Sequence, residues 1–175
     1  MYTDFTIEEG GISLKKIYFY EKEIGRIGIG EDNGAITDIL IENYAVPNSV
    51  KVQETALIKE ASKQLDEYFQ GIRKVFDLPI LVKGTPFQQM VWEALKTIPY
   101  GETRSYKDIA VQIGKVKACR AVGMANNRNS IPIIIPCHRV IGSKGELVGY
   151  GEGLDIKEQL LRLEGLKIKG KKVIL

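Results

Sequence analysis

Apolar and polar positions fall into two styles along the chain. Residues 12–19, 23–29 and 35–41 are rich in Ile, Tyr and Phe, with glycine punctuation between them, notably Asn33-Gly34. An Asn-Gly pair between apolar runs is a hairpin signal, so these stretches predict consecutive strands of an antiparallel sheet. From about Val52 to Gln70 the period changes. Leu57, Ala61, Leu65, Tyr68 and Phe69 recur at helical spacing, and Gly71 fits the stop. Strands followed by a helix predict a small α+β domain, and nothing in it looks catalytic.

Asp77-Leu78-Pro79 marks the predicted boundary: a first domain over 1–78, a second over 79–168 and a basic tail over 169–175. Thr85-Pro86-Phe87-Gln88 is a helix start, with Thr as N-cap, Pro at N1 and Gln at N3 closing a capping box. Phe87, Val91, Trp92, Leu95 and Ile98 form one apolar face, and Pro99-Tyr100-Gly101 stops the helix. A second start follows at Ser105 with Asp108 at N3. Ile109, Ala110 and Ile113 are expected to face inward, and Gly114 closes the helix. A third helix is predicted from about Lys117 to Asn126. Two short helices joined by a tight glycine-containing turn read as helix-turn-helix, the third helix of the domain being the recognition helix. It carries the small residues Ala118, Ala121, Gly123 and Ala125, which permit close approach to a groove or, equally, to a neighbouring helix. Lys117 and Arg120 add positive charge.

Charge sharpens this division. Residues 1–78 hold 9 Lys+Arg against 14 Asp+Glu, a net of −5, and residues 79–175 hold 16 against 8, a net of +8. A basic half beside an acidic half points to a polyanion partner or to a solvated lysine surface. At 175 residues and 44% hydrophobic, the chain can bury one large core or two small ones. No apolar run approaches the roughly 20 residues of a membrane span. The Met1-Tyr2-Thr3-Asp4 start lacks the pattern of a signal peptide. Two cysteines and one histidine make neither a disulfide framework nor a four-ligand zinc site of Cys and His, so a reducing cytoplasm is the expected compartment.

The candidate chemistry sits in Asn129-Ser130-Ile131-Pro132-Ile133-Ile134-Ile135-Pro136-Cys137-His138-Arg139-Val140. An apolar stretch flanked by prolines is expected to be buried and extended, with the polar trio at its end. A free cysteine is most often a small buried hydrophobe. Here, however, the chain's one histidine adjoins Cys137. Arg139 is expected to lower the thiol pKa and favour the thiolate, and Pro136 to fix the direction of the thiol. Adjacent side chains of an extended segment point apart, so His138 reaches the thiol either through a water or because the chain turns there.

Pro136-Cys137-His138-Arg139-Val140, within Ile-Pro-x-x-x-Pro-Cys-His-Arg-Val, resembles the active-site signature of the O6-alkylguanine-DNA alkyltransferases. Pro99-Tyr100-Gly101-Glu102-Thr103-Arg104-Ser105-Tyr106 is similar to that family's entry to the helix-turn-helix. Cys119-Arg120-Ala121-Val122-Gly123 is similar to its recognition helix. Gly149-Tyr150, Gly153-Leu154, Lys157-Glu158, Leu160-Leu161 and Glu164-Gly165 are similar to its closing loop and helix. The resemblance covers residues 84–166. It implies a ribonuclease H-like sheet-plus-helix domain followed by a winged-helix, helix-turn-helix domain.

The implied activity is that of a methylated-DNA–[protein]-cysteine S-methyltransferase (EC 2.1.1.63), which moves an alkyl group from O6-alkylguanine in double-stranded DNA, with O4-alkylthymine as a second candidate substrate, onto its own cysteine. The reaction is irreversible and needs no cofactor, because the alkyl donor is the DNA. By resemblance Cys137 is the acceptor, His138 its base and Glu164 the residue that orients His138. Asn129 holds the turn around the site. Tyr106 helps rotate the nucleotide out and donates a proton to the departing guanine. Arg120 fills the vacated stack, with Lys117, Ala118 and Ala121 against the minor groove. Tyr150 and the Gly149, Gly151, Glu152 and Gly153 loop line the pocket. Glu152 stands where many relatives have a small residue, and a carboxylate there would disfavour bulky or anionic adducts. Relatives that bind zinc use Cys and His in the first domain; this one has neither, so no metal is expected. Cys119 is expected to be structural, and a monomer is expected.

Three other readings compete: a lesion-binding module that does not react, a winged-helix transcription regulator, and a cysteine hydrolase. The first lacks the nucleophilic cysteine, which Cys137 supplies here. The second wants polar base-reading side chains on the recognition helix. The third usually draws Cys and His from distant positions.

Overall fold

The computed structural model describes residues 7–8, 11–12, 15–41 and 49–174. The chain divides into two compact units, residues 1–81 and 82–175. In the first, β1 (Ile7–Glu8) and β2 (Gly11–Ile12) form a short antiparallel pair. The main sheet has four strands in the order β5-β4-β3-β6: β3 (Lys16–Lys22), β4 (Gly25–Asp32), β5 (Ala35–Ile41) and β6 (Lys51–Val52). The three long strands are antiparallel, as the pattern predicts, and β6 adds a parallel edge. The β4–β5 turn places Asn33 at φ 48° and Gly34 at φ 76°, the paired left-handed conformations that favour Asn-Gly. The first strand begins at Lys16 rather than residue 12; residues 13 and 14 of that prediction lie outside the described residues.

Helix α1 (Ala56–Phe69) starts four residues later than the pattern suggests. Thr55 is its N-cap, accepting the Ile58 N–H at 3.1 Å, and a helix cannot begin before its cap. It lays Ile58, Ala61, Leu65 and Tyr68 against the sheet, each fully buried and each large apolar side chain contributing roughly 1.5–3 kcal/mol. The unit extends past the predicted 78/79 boundary because residues 79–81 return to β5: Ile36 N–H donates to Pro79 O (2.8 Å) and Leu81 N–H to Ile36 O (2.9 Å).

The second unit contains α2 (Pro86–Lys96), β7 (Arg104–Ser105), α3 (Tyr106–Gln112), α4 (Cys119–Asn127), β8 (Val140–Ile141), α5 (Leu154–Leu163), β9 (Ile168–Lys169) and β10 (Lys172–Val173). Both predicted capping boxes are present, Thr85 with Gln88 and Ser105 with Asp108. Trp92, Leu95, Ile98, Ile109, Val122 and Ala125 make the helical core. The α3–α4 pair is the helix-turn-helix, and Gly114 ends α3 at φ 70°.

Four details differ from the sequence reading. Lys117 lies in the turn before α4, not on it. Ala125 is 1% exposed and its carbonyl accepts the Trp92 indole N–H at 2.9 Å, so it packs the core and is no groove residue. Ile113 is only half-buried. Residues 169–174 are not the separate tail expected for 169–175, whose last residue lies outside the described residues: β9 and β10 form a hairpin whose Ile168 and Val173 join Ile141, Leu147 and Leu161 in a core cluster. Among the described residues, no helix is long and apolar enough to cross a membrane.

Candidate active site

The site is built around a turn. Residues 131–135 are buried, Ile134 only in part, and they are not extended. Ile135 N–H donates back to Ile131 O (2.9 Å), and Ile133 sits at φ 73°, where a β-branched residue is strained. Asn129 spans this turn. Its Oδ1 accepts the Ile131 N–H at 3.0 Å, and its Nδ2 donates to Ile135 O at 2.8 Å and to Cys137 Sγ at 3.1 Å. Pro136 then leads into a single 3-10 turn, Cys137–Arg139, so the chain turns where an extended segment would have pointed Cys137 and His138 apart. β8 follows directly and pairs with β7, Arg104 opposite Val140, which ties the cysteine turn to the start of α3.

Behind the thiol lies a buried charge cluster. His138 Nε2 and Glu164 Oε1 are 2.7 Å apart, both side chains fully buried. Arg139 forks onto the same carboxylate, Nε to Oε2 at 2.9 Å and Nη2 to Oε1 at 3.0 Å, while its Nη1 donates to Ile98 O at 2.7 Å. Gly101 N–H adds a further donor at 3.1 Å. Burial alone would raise the Glu164 carboxyl, but the bonds and charges of His138 and Arg139 outweigh it and hold it down at about 2. It is therefore a carboxylate, and His138 donates Nε2–H to it. Burial lowers the His138 pKa, only partly offset by Glu164, so the imidazole rests neutral with its lone pair on Nδ1.

Cys137 itself is 4% exposed, and burial pushes its thiol up to about 12, with the Glu152 carboxylate adding to the rise and Asn129 and Lys157 opposing it. The expectation that Arg139 lowers this pKa is overturned: its guanidinium is committed to Glu164 and Ile98. The resting group is a thiol, not a thiolate.

A loop closes the other side. Tyr106 donates its hydroxyl to Val148 O (2.9 Å) and Gly149 O (3.1 Å). Gly149 is at φ 56°, and a Cβ there would stand 3.2 Å from that hydroxyl. Burial, then the nearby Cys137, raises the Tyr106 pKa to about 12, so it remains a donor. Lys157 has no exposed surface, and its Nζ bonds Val140 O (2.6 Å) and Val148 O (2.9 Å). Burial lowers it to about 8. The Tyr150 ring centroid lies 6.0 Å from this ammonium. Glu152 is half-buried between the exposed Gly151 and Gly153, and burial raises its carboxyl. An open cleft of about 320 Å³ runs beside this loop, lined by Tyr106, Val148 and Gly149 and by Cys119, Arg120, Gly123 and Asn127 of α4. Arg120 is exposed at its edge.

The family model for the 6-O-methylguanine DNA methyltransferase DNA binding domain matches residues 86–166, and that for the ribonuclease-like domain of the same methyltransferase matches residues 16–82. The chain belongs to the 6-O-methylguanine DNA methyltransferase family. It is 51% identical over 150 residues to a methylated-DNA–protein-cysteine methyltransferase of Methanosarcina acetivorans, covering 83% of this chain and 96% of the relative. It is 48% identical over 158 residues to the constitutive one of Bacillus subtilis, covering 86% and 96%. The crystal structure of an OGT of Mycobacterium tuberculosis in complex with DNA superposes with a TM-score of 0.80 at 43% identity, covering 85% of this chain and 92% of that one.

Within this methyltransferase fold, the structure gathers Cys137 with Asn129, His138 with Glu164, and Tyr106 with Gly149. Ala118 caps α4 without a side-chain bond, and Ala121 is half-buried on it. Lys117 is exposed beyond the helix start. Sequence reasoning missed Lys157 as a site residue. The signal was available: Lys157 and Glu164 stand seven residues apart on the face of α5 that also carries Leu160 and Leu161, so a lysine occupies a core position of an amphipathic helix. Among the described residues, no cluster of three or more His, Cys, Asp or Glu is placed to hold a metal.

Proposed function

We propose that this protein repairs DNA by taking the alkyl group of an O6-alkylguanine onto Cys137, once per molecule. The observation that supports this best is a buried thiol beside a His138–Glu164 pair, in a unit whose family model is a DNA-binding domain. The helix-turn-helix meets the minor groove through α4. The damaged nucleotide rotates out at a cost of a few kcal/mol, lower for a poorly paired base, and Arg120 takes its place in the stack.

The alkyl carbon then faces Cys137. The proton leaves Sγ for neutral His138, whose cation Glu164 stabilises. A carbon–sulfur bond forms, the carbon–O6 bond breaks, and the electron pair remains on the guanine. A resting thiol near 12 makes free ionisation unfavourable, so proton loss is coupled to transfer. Tyr106 must give up Val148 O and Gly149 O to donate to the departing base. The thioether has no base in the site able to cleave it, so the protein is spent. We place the reaction in the cytoplasm, where thiols stay reduced. All the residues named lie on one chain, so a monomer suffices.

Stoichiometry tests this. A tenfold excess of duplex carrying O6-methylguanine should lose one equivalent of methyl per protein and then stop. Continued turnover would refute a self-consuming reaction.

A further inference from the structure

The DNA-binding family match ends at residue 166, and the β9–β10 hairpin lies just beyond it. Residues 142–147 and 167–174, which pair with one another, hold five lysines (Lys144, Lys167, Lys169, Lys171 and Lys172) and one carboxylate, Glu146. All five lysines are exposed. Glu146 stands 4.0 Å from the Lys172 ammonium and accepts the Lys144 backbone N–H at 2.9 Å. Among the described residues, the other four ammonium groups form no ion pair.

Register gathers this charge. Ile168 lies opposite Val173 and both join the core, so by alternation Lys169 and its cross-strand partner Lys172 point outward, with Lys167 on the same face. Like charges directly opposite in an antiparallel pair repel. The turn between them holds Lys171 at φ 58°, a left-handed conformation that side chains rarely adopt. An anion laid across the outer face relieves the repulsion.

The hairpin is docked beside the cleft. Leu147 N–H donates to Lys171 O and Val173 N–H to Gly145 O, each at 2.9 Å, and a Cβ on Gly145 would stand 2.6 Å from that Val173 carbonyl oxygen. Arg162 ties down the other strand, its Nη2 donating to Ile168 O at 2.9 Å. Leu147 runs directly into Val148 and Gly149, which line the cleft together with Arg120 and Gly123 of α4. The lysine face is thus one strand away from the loop that borders the recognition helix.

We propose that the β9–β10 hairpin, with Lys144 of the neighbouring turn, is a second phosphate-gripping surface that holds the DNA backbone beyond the reach of α4. This rests on the DNA partner of the reading above and not on the alkyl transfer. Ammonium groups on flexible stems act as point charges and read no sequence, which suits a repeated phosphate backbone rather than one small anion. The duplex is the one that α4 engages, because the 145–149 segment joins the two surfaces.

The salt dependence of binding tests this. Affinity for a long undamaged duplex is measured by fluorescence anisotropy from about 50 to 200 mM salt. Three proteins are compared: wild type, the hairpin variant Lys169→Gln/Lys171→Gln/Lys172→Gln, and Lys51→Gln/Lys59→Gln/Lys63→Gln, which removes the same charge from exposed positions of the first unit. Each phosphate contact contributes about 0.9 to the slope of log affinity against log salt, so the hairpin variant should lose about two from that slope and about tenfold or more in affinity. The first-unit variant should keep the wild-type slope. Arginine at the same three hairpin positions should restore it, since a guanidinium also neutralises a phosphate. An unchanged slope in the hairpin variant, an equal fall in both glutamine variants, or no restoration by arginine would overturn the proposal. A wild type whose affinity ignores salt would sink the phosphate grip of the whole unit, and this inference with it.

Discussion

Cys137 and His138 rest in the protonation states of an uncommitted pair: a thiol raised to about 12 by burial and an imidazole lowered below 6.5 by burial. In the proposed mechanism only the neutral imidazole accepts the proton, so protonation of His138 would shut the reaction off. Because its pKa is depressed, that shut-off lies on the acid side of the ordinary imidazole range. The rate of methyl transfer should therefore be flat from about pH 8 to about 6.5 and decline only below it. An acid limb centred above 6.5 would contradict a buried neutral base. Glu164 stays ionised across that window, since Arg139 and His138 hold it at about 2 against the cost of burial. At this scale the signature Pro-Cys-His-Arg was legible, but its electrostatics were not. Arg139 reads as a charge beside the thiol, and only the fold shows it spent on Glu164, a residue 25 positions away.

The elements announce themselves where local chemistry decides them. Both capping boxes, the Asn33-Gly34 turn and the glycine after α3 are short-range features that any chain with those residues satisfies in the same way. The 131–135 segment reads as extended because three isoleucines between two prolines carry no period. Its turn depends on Asn129 side-chain bonds and tolerates Ile133 at φ 73°. Lys157 escaped notice as a site residue for a similar reason, its partners being backbone carbonyls that no side-chain pattern reveals. The recognition helix carries its own prediction. Arg120→Ala should slow repair of duplex DNA by at least about tenfold more than reaction with free O6-benzylguanine, because only the duplex requires a base to leave the stack. Equal losses on both substrates would remove Arg120 from that role.

At the scale of the whole chain, the acidic first unit and basic second unit were legible from charge alone, but the boundary between them was not. Residues 79–81 look like a linker by composition and are a strand partner by hydrogen bonding. Likewise the C-terminal lysines look like a tail, while Ile168 and Val173 between them are core. If the basic unit grips phosphates, affinity for undamaged duplex should fall by about an order of magnitude or more between about 50 and 200 mM salt. A flat response, read by fluorescence anisotropy, would argue against that grip. The central claim is tested most directly by intact-protein mass after incubation with a duplex holding one O6-methylguanine, beside Cys137→Ala. The account predicts that wild type gains one methyl group, located on Cys137, and that the variant gains none. A protein that binds the duplex and never changes mass would contradict it and make the chain a lesion-binding module.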